Sequence, residues 1–79
     1  MSKLPRDLPG DRLVRVLCRV GWYEDHQVGS HVTLRHREMP GKKIVVPVHR
    51  GRPLKPKVLK RILREAGLTI EQLQAWSSI

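Results

Sequence analysis

The sequence has no phenylalanine and no apolar run that approaches the 18 residues of a transmembrane helix. Its N-terminus also lacks the hydrophobic segment of a signal peptide. With 79 residues the chain can build only one small core, which must depend on Leu, Val and Ile. We therefore expect a soluble, intracellular protein in which residues 1–79 form a single domain, with 1–9 as a leader segment. Such a domain leaves little room for a deep pocket, so we expect it to act through its surface and without a cofactor.

Cysteine is almost absent as well. Cys18 is the only one, which excludes an internal disulfide and fits a reducing compartment. Because Cys18 adjoins Leu17 in a predicted helix, we expect it to fill the core rather than to act as a nucleophile. No His/Cys pair has zinc-ligand spacing, and the carboxylates are not clustered as in a two-metal nuclease, so we expect no metal site.

Acidic residues are scarce, and their scarcity is local. Sixteen Lys and Arg outnumber seven Asp and Glu, for a net charge of +9. Between residues 35 and 64 the only acid is Glu38. The same range contains eleven basic residues: Arg35, Arg37, Lys42, Lys43, Arg50, Arg52, Lys55, Lys57, Lys60, Arg61 and Arg64. A bias this strong favours a polyanionic partner over a merely solvated surface.

Two segments, 10–20 and 56–66, have the i, i+3, i+4, i+7 apolar spacing of an amphipathic helix. Each is followed by a glycine, Gly21 or Gly67, at the position of a left-handed C-terminal cap. Residues 69–72 read Thr-Ile-Glu-Gln, a capping-box pattern that predicts a short last helix folding back on the domain.

Three strands are predicted between these helices, at 22–27, 30–35 and 43–48. Trp22 is expected to turn inward. Short connections imply an antiparallel meander with two helices on one face of the sheet and the other face uncovered. The fold class is therefore α+β, in the order α-β-β-β-α with a three-stranded antiparallel sheet and a short C-terminal helix.

His31 is the strongest candidate for chemistry. Strand alternation places its side chain on the uncovered face of the sheet, together with Thr33 and Arg35, while Val32 and Leu34 point to the other face. Imidazole exchanges protons near neutral pH, so it suits a general base for the RNA 2′-hydroxyl or an acid for the leaving oxygen.

The other histidines are less distinctive. His49 follows the third strand and is a possible second acid or base, an RNA-positioning residue, or a residue that stabilises the turn into the next helix. We expect His26 and His36 to be ordinary surface residues. The candidate RNA-binding residues are Ser30, Arg35, Arg50, Arg52, Lys55, Lys57, Lys60, Arg61 and Arg64, of which the last four form one side of the second helix.

Four motifs, in this order and spacing, resemble the HicA toxins, the mRNA interferases of bacterial toxin–antitoxin systems. The motifs are Gly21-Trp22, Gly29-Ser30-His31, Val46-Pro47-Val48-His49 and the segment 59–68, LKRILREAGL. The resemblance runs from about Leu8 to Trp76, and it departs from the family pattern at Pro56-Lys57, where a Gly-Thr pair is common.

The resemblance implies a fold like that of a double-stranded-RNA-binding domain and ribosome-independent cleavage of mRNA. It implies that His31 is the catalytic residue. It also implies a HicB-type antitoxin as protein partner, in the bacterial cytoplasm.

Two readings of function remain beside this one. A non-catalytic RNA-binding module would use the same basic surface by recognising shape. A small DNA-binding protein is the weaker alternative. We favour a metal-independent endoribonuclease toxin that uses no small-molecule cofactor and no membrane.

Overall fold

The computed structural model describes Leu4 and residues 7–77, the last of these by its backbone alone. Its helices are α1 (Gly10–Arg19), α2 (Pro56–Ala66) and α3 (Ile70–Ser77), and its strands are β1 (Trp22–Val28), β2 (His31–His36) and β3 (Lys43–Pro47). The strands form one antiparallel sheet in the order β1-β2-β3. The predicted α+β class and element order are thus confirmed.

Helix α1 covers the sheet and lies very close to it at its N-terminus. Leu13 and Leu17, on its apolar stripe, are fully buried. A side chain at Gly10 would overlap the carbonyl oxygen of Pro47, and its Cβ would lie 3.1 Å from the Cα of Val48. Glycine at this position therefore allows the first turn of α1 to pack against the end of β3.

The core lies between the sheet and the helices. Val32 and Leu34 of β2 and Ile44 and Val46 of β3 alternate onto the covered face and are all buried. Helix α1 contacts β1 and β3, whereas α2 contacts β3. The opposite face carries no helix among the described residues.

Helix α2 begins and ends, and helix α3 begins, as the sequence predicts. Pro56 occupies the first turn of α2. Gly67 has φ 70°, and the amide of Leu68 donates to the carbonyl oxygen of Leu63 at 3.0 Å, which is a Schellman-type end. The capping box of α3 is formed in both directions. The amide of Gln72 donates to Thr69 Oγ1 at 3.1 Å, and the amide of Thr69 donates to Gln72 Oε1 at 2.9 Å.

The segment 1–9, expected to be a leader, lies partly outside the described residues, since 1–3, 5 and 6 are not described. Its end belongs to the fold. Leu8 is buried, its carbonyl oxygen accepts a 2.8 Å hydrogen bond from the amide of Leu54, and Pro9 forms a β-bridge with Pro53. The domain therefore closes by holding the start of the chain against the segment before α2. None of the described helices is long and apolar enough to span a membrane.

Candidate functional site

His31 begins β2 and is exposed on the face of the sheet away from the helices. We call this the open face; its side chains are those of Tyr23, His26, Val28, His31, Thr33, Arg35, Lys43, Val45 and Pro47. Val28 and Pro47 are the cross-strand neighbours of His31, and neither has a side chain that exchanges protons. The imidazole makes no hydrogen bond or ion pair with the described part of the chain, so both nitrogens are available to a ligand.

A shallow groove adjoins this end of the sheet. Its volume is about 310 Å³, and its lining contains no acidic residue. We call it the basic groove; it is lined by Pro47, His49, Arg52, Pro53, Leu54, Lys55 and Val58. Pro47 belongs both to the basic groove and to the open face, so the groove is continuous with the surface that carries His31. A negatively charged chain crossing His31 would therefore meet cationic side chains next.

Ser30 and His49 are brought to this end of the sheet by one hydrogen bond. The amide of Val48 donates to the carbonyl oxygen of Ser30 at 2.6 Å, which continues the β2–β3 ladder past the end of β3. His49 follows directly and is exposed. Ser30 is half-buried, and the hydrogen bond that it makes to Val48 is made by its backbone carbonyl group.

The basic residues predicted to bind RNA differ in whether their side chains already contact other groups of the protein. Lys57, Lys60 and Arg64 project from the exposed side of α2, and Arg50, Arg52 and Lys55 are exposed in the segment before it. Arg61 instead donates to Glu65 at 3.4 Å and to the carbonyl oxygen of Val45 at 3.5 Å, across the outer edge of β3. Arg35 lies on the open face, with its Nε 3.3 Å from a carboxylate oxygen of Asp25.

The centre of the open face holds a group that the sequence analysis missed. A β-bulge between Glu24 and His26 shifts the register of β1 against β2 and sets His26 opposite Thr33. The Asp25 Oδ2 atom accepts hydrogen bonds from His26 Nδ1 at 2.8 Å and from Arg35 Nε at 3.3 Å. The pKa of Asp25 lies below its usual value, and the hydrogen bond from His26 is the largest cause. Desolvation opposes this effect, and the nearby Arg35 guanidinium lowers the pKa further. Asp25 is therefore ionised at neutral pH.

His36 is not the surface residue that we expected, and that prediction is wrong. Its ring is half-buried on the helix-covered side, edge-on to Trp22 with centroids 5.0 Å apart. Nε2 lies 3.3 Å from the carbonyl oxygen of Val20, and the amide of Glu38 donates to Nδ1 at 3.1 Å. Since both nitrogens are occupied by backbone groups, His36 is structural.

Cys18 is exposed and does not fill the core, so that prediction is also wrong. One residue of helix turns the side chain about 100° away from that of Leu17, which takes Cys18 off the buried stripe. Partial burial of the thiol is the main cause of a raised pKa, and the negative charge of Glu24 adds to it. Cys18 is therefore a protonated thiol at neutral pH, which is consistent with its having no nucleophilic role. Among the described residues no group of three His, Cys, Asp or Glu side chains could hold a metal ion.

Fold and site together define a small basic α+β domain whose uncovered sheet face carries histidines beside a cationic groove. The family model for the HicA toxin of bacterial toxin–antitoxin systems matches residues 10–68, which is more than half of the chain. The chain therefore belongs to the HicA toxin family, and its role is that of a toxin in a toxin–antitoxin system. A comparison with curated proteins finds no match.

Proposed function

We propose that this toxin is a metal-independent endoribonuclease that cleaves mRNA, with His31 as general acid or base. The observation that carries the proposal is the position of His31: an exposed imidazole without a partner among the described residues, on an open sheet face that continues into the basic groove. Membership of a toxin family supports an activity that harms the cell.

RNA supplies its own nucleophile, which is why one sheet face can be sufficient. His31 takes the proton of a 2′-hydroxyl as its oxygen attacks the adjacent phosphorus. The bond from phosphorus to the 5′-oxygen then breaks, that oxygen gains a proton, and the product is a 2′,3′-cyclic phosphate. Nearby cations stabilise the charge that grows on the phosphoryl oxygens. No step in this scheme requires a metal-bound water.

The exposed cations of the basic groove and of α2 would hold the RNA backbone beside the reacting phosphate. Arg52 and Lys55 line the groove, while Lys57, Lys60 and Arg64 extend the positive surface along α2. Contacts of this type give strong, salt-dependent affinity with little sequence selectivity. Arg35 and Arg61 would have to share their guanidinium groups with Asp25 and Glu65.

The test is cleavage of a synthetic, 5′-labelled mRNA by the purified protein in excess EDTA. We expect fragments that end in a 2′,3′-cyclic phosphate or its 3′-phosphate hydrolysis product. Cleavage that stops when EDTA is added would contradict the metal-independent mechanism. RNA that is bound but stays intact, with and without added Mg²⁺, would leave a non-catalytic RNA-binding module.

We further propose a HicB-type antitoxin as the cellular inhibitor. An acidic partner would be complementary to a chain of net charge +9 and would associate quickly with it. We expect a protein encoded beside the toxin to form a tight complex and to abolish cleavage at equimolar amounts. A neighbouring protein that binds but leaves cleavage unchanged would contradict this proposal.

A further inference from the structure

Two histidines share the open face at neighbouring positions. Val28 of β1 lies opposite His31 of β2, and His26 lies opposite Thr33. Because side chains alternate along a strand, His26, two residues before Val28, points to the same side of the sheet as His31. Diagonal pairs of this kind have Cα atoms about 7–8 Å apart, within reach of long and aromatic side chains. Two imidazoles that project to the same side from Cα atoms this far apart can both reach one phosphate group.

His26 is held in a defined orientation, unlike His31. Its Nδ1 donates to Asp25 Oδ2 at 2.8 Å, which leaves Nε2 as the free nitrogen. Because Nδ1 is bound to the carboxylate, any proton that His26 exchanges with a ligand is exchanged at Nε2. The Asp25 side chain is 35% exposed and that of His26 is 54% exposed, so the pair is accessible to a ligand on the open face.

We propose that His26 is the general acid of the cleavage reaction, with Asp25 as its positioning residue. The inference rests on the proposed ribonuclease function. His31 accepts the 2′-hydroxyl proton while the 2′-oxygen bonds to phosphorus. His26 Nε2 delivers its proton to the 5′-oxygen as the P–O5′ bond breaks. The diester becomes a cyclic diester of the same charge, and solvent later returns the proton from His31 to His26.

His49 was the other candidate for this role, and the structure favours a binding role for it. His49 follows the end of β3 and lines the basic groove with Arg52 and Lys55. Its side chain has no hydrogen-bonding partner within the described residues, so no carboxylate orients its ring toward a ligand as Asp25 orients that of His26. The geometry therefore assigns proton donation to His26 and RNA positioning to His49.

The experiment compares two RNA substrates of one sequence, one normal and one in which sulfur replaces the 5′-oxygen at the cleaved bond. A thiolate leaves without being protonated, so loss of the general acid harms only the normal substrate. We expect His26→Ala to slow cleavage of the normal RNA by about 10²- to 10⁴-fold and to have little effect on the sulfur substrate. Asp25→Ala should give the same pattern to a smaller extent. His31→Ala should slow both substrates, because the general base is still needed.

Activity on the sulfur substrate also shows that the His26→Ala protein is folded. Equal slowing of both substrates by His26→Ala, or no slowing of either, would overturn the proposal. The proposal would also be overturned if His49→Ala, instead of His26→Ala, slowed cleavage of the normal substrate alone. If the wild type cleaves neither substrate, the ribonuclease function itself fails. If the wild type cleaves both and only His31→Ala is impaired, that function stands and the role of His26 falls.

Discussion

Replacing His31 by alanine is expected to lower the rate of RNA cleavage by about 10²- to 10⁴-fold, the range of a general acid or base. The change removes the imidazole that we propose takes the 2′-hydroxyl proton, and it removes nothing that the fold uses. The side chain of His31 is exposed and makes no hydrogen bond to the described residues, and alanine keeps the backbone pairing of β2. The measurement is the single-turnover rate on a 5′-labelled RNA at saturating protein, with the unfolding transition followed in parallel.

Val28→Ala is the matched control for His31→Ala. Val28 lies directly opposite His31 on the open face and is 70% exposed, but its side chain has no proton chemistry. We expect Val28→Ala to cleave within a few-fold of wild type, and His31→Ala to bind RNA with nearly unchanged affinity by fluorescence anisotropy. Cleavage by His31→Ala at the wild-type rate would refute the catalytic role. Loss of binding instead of turnover would make His31 an RNA-positioning residue.

The helices and strands could be predicted because local signals and burial agree in this chain. Gly67 and the Thr69–Gln72 pair end one helix and start the next through backbone and side-chain hydrogen bonds that lie within a few residues of sequence. Strand β2 shows its buried face directly in the alternation of Val32 and Leu34. Local interactions of this kind are readable from one sequence, and the exposure of His31 followed from the same alternation.

The role of Asp25 and His26 could not be predicted, because it depends on the pairing of two strands. Strict alternation along β1 puts Asp25 and His26 on opposite faces. The bulge after Glu24 breaks the alternation, sets His26 opposite Thr33, and lets Asp25 reach both His26 and Arg35. Nothing in the seven residues of β1 indicates where a bulge falls. The general acid that we propose was therefore hidden among the surface residues.

His36 was misjudged for a related reason, since its burial depends on a residue far away in sequence. Gly21 has φ 108°, and a Cβ there would lie 2.6 Å from His36 Nε2. The glycine thus ends α1 and also leaves space for the imidazole of His36 beside the start of β1. Sequence patterns showed the first of these roles. The second needs the pairing of Trp22 with His36, which places the two rings together.

Trp22→Ala is expected to destabilise the domain by about 3–5 kcal/mol, the usual cost of removing a buried large aromatic residue. Trp22 is 2% exposed, is among the largest fully buried side chains described, and supports His36 edge-on. A domain of this length has a total stability of about 4–12 kcal/mol, so the substitution should remove about a quarter of it or more and should markedly lower the urea midpoint. Urea denaturation followed by far-ultraviolet circular dichroism measures the loss without depending on tryptophan fluorescence.

Tyr23→Ala is the matched control for Trp22→Ala. It tests whether the stability loss comes from the burial of Trp22 or from removing any aromatic ring at this end of β1. Tyr23 is the next residue, points to the open face, is 37% exposed, and lies under the Arg37 guanidinium at 5.7 Å. Its loss should cost about 1 kcal/mol or less, because an exposed cation–π pair contributes no more than that. Equal losses for the two variants would mean that Trp22 does not organise the core. A large loss for Trp22→Ala alone shows that β1 is held to the domain through its covered face, which leaves the open face free to change its side chains for function without unfolding the protein.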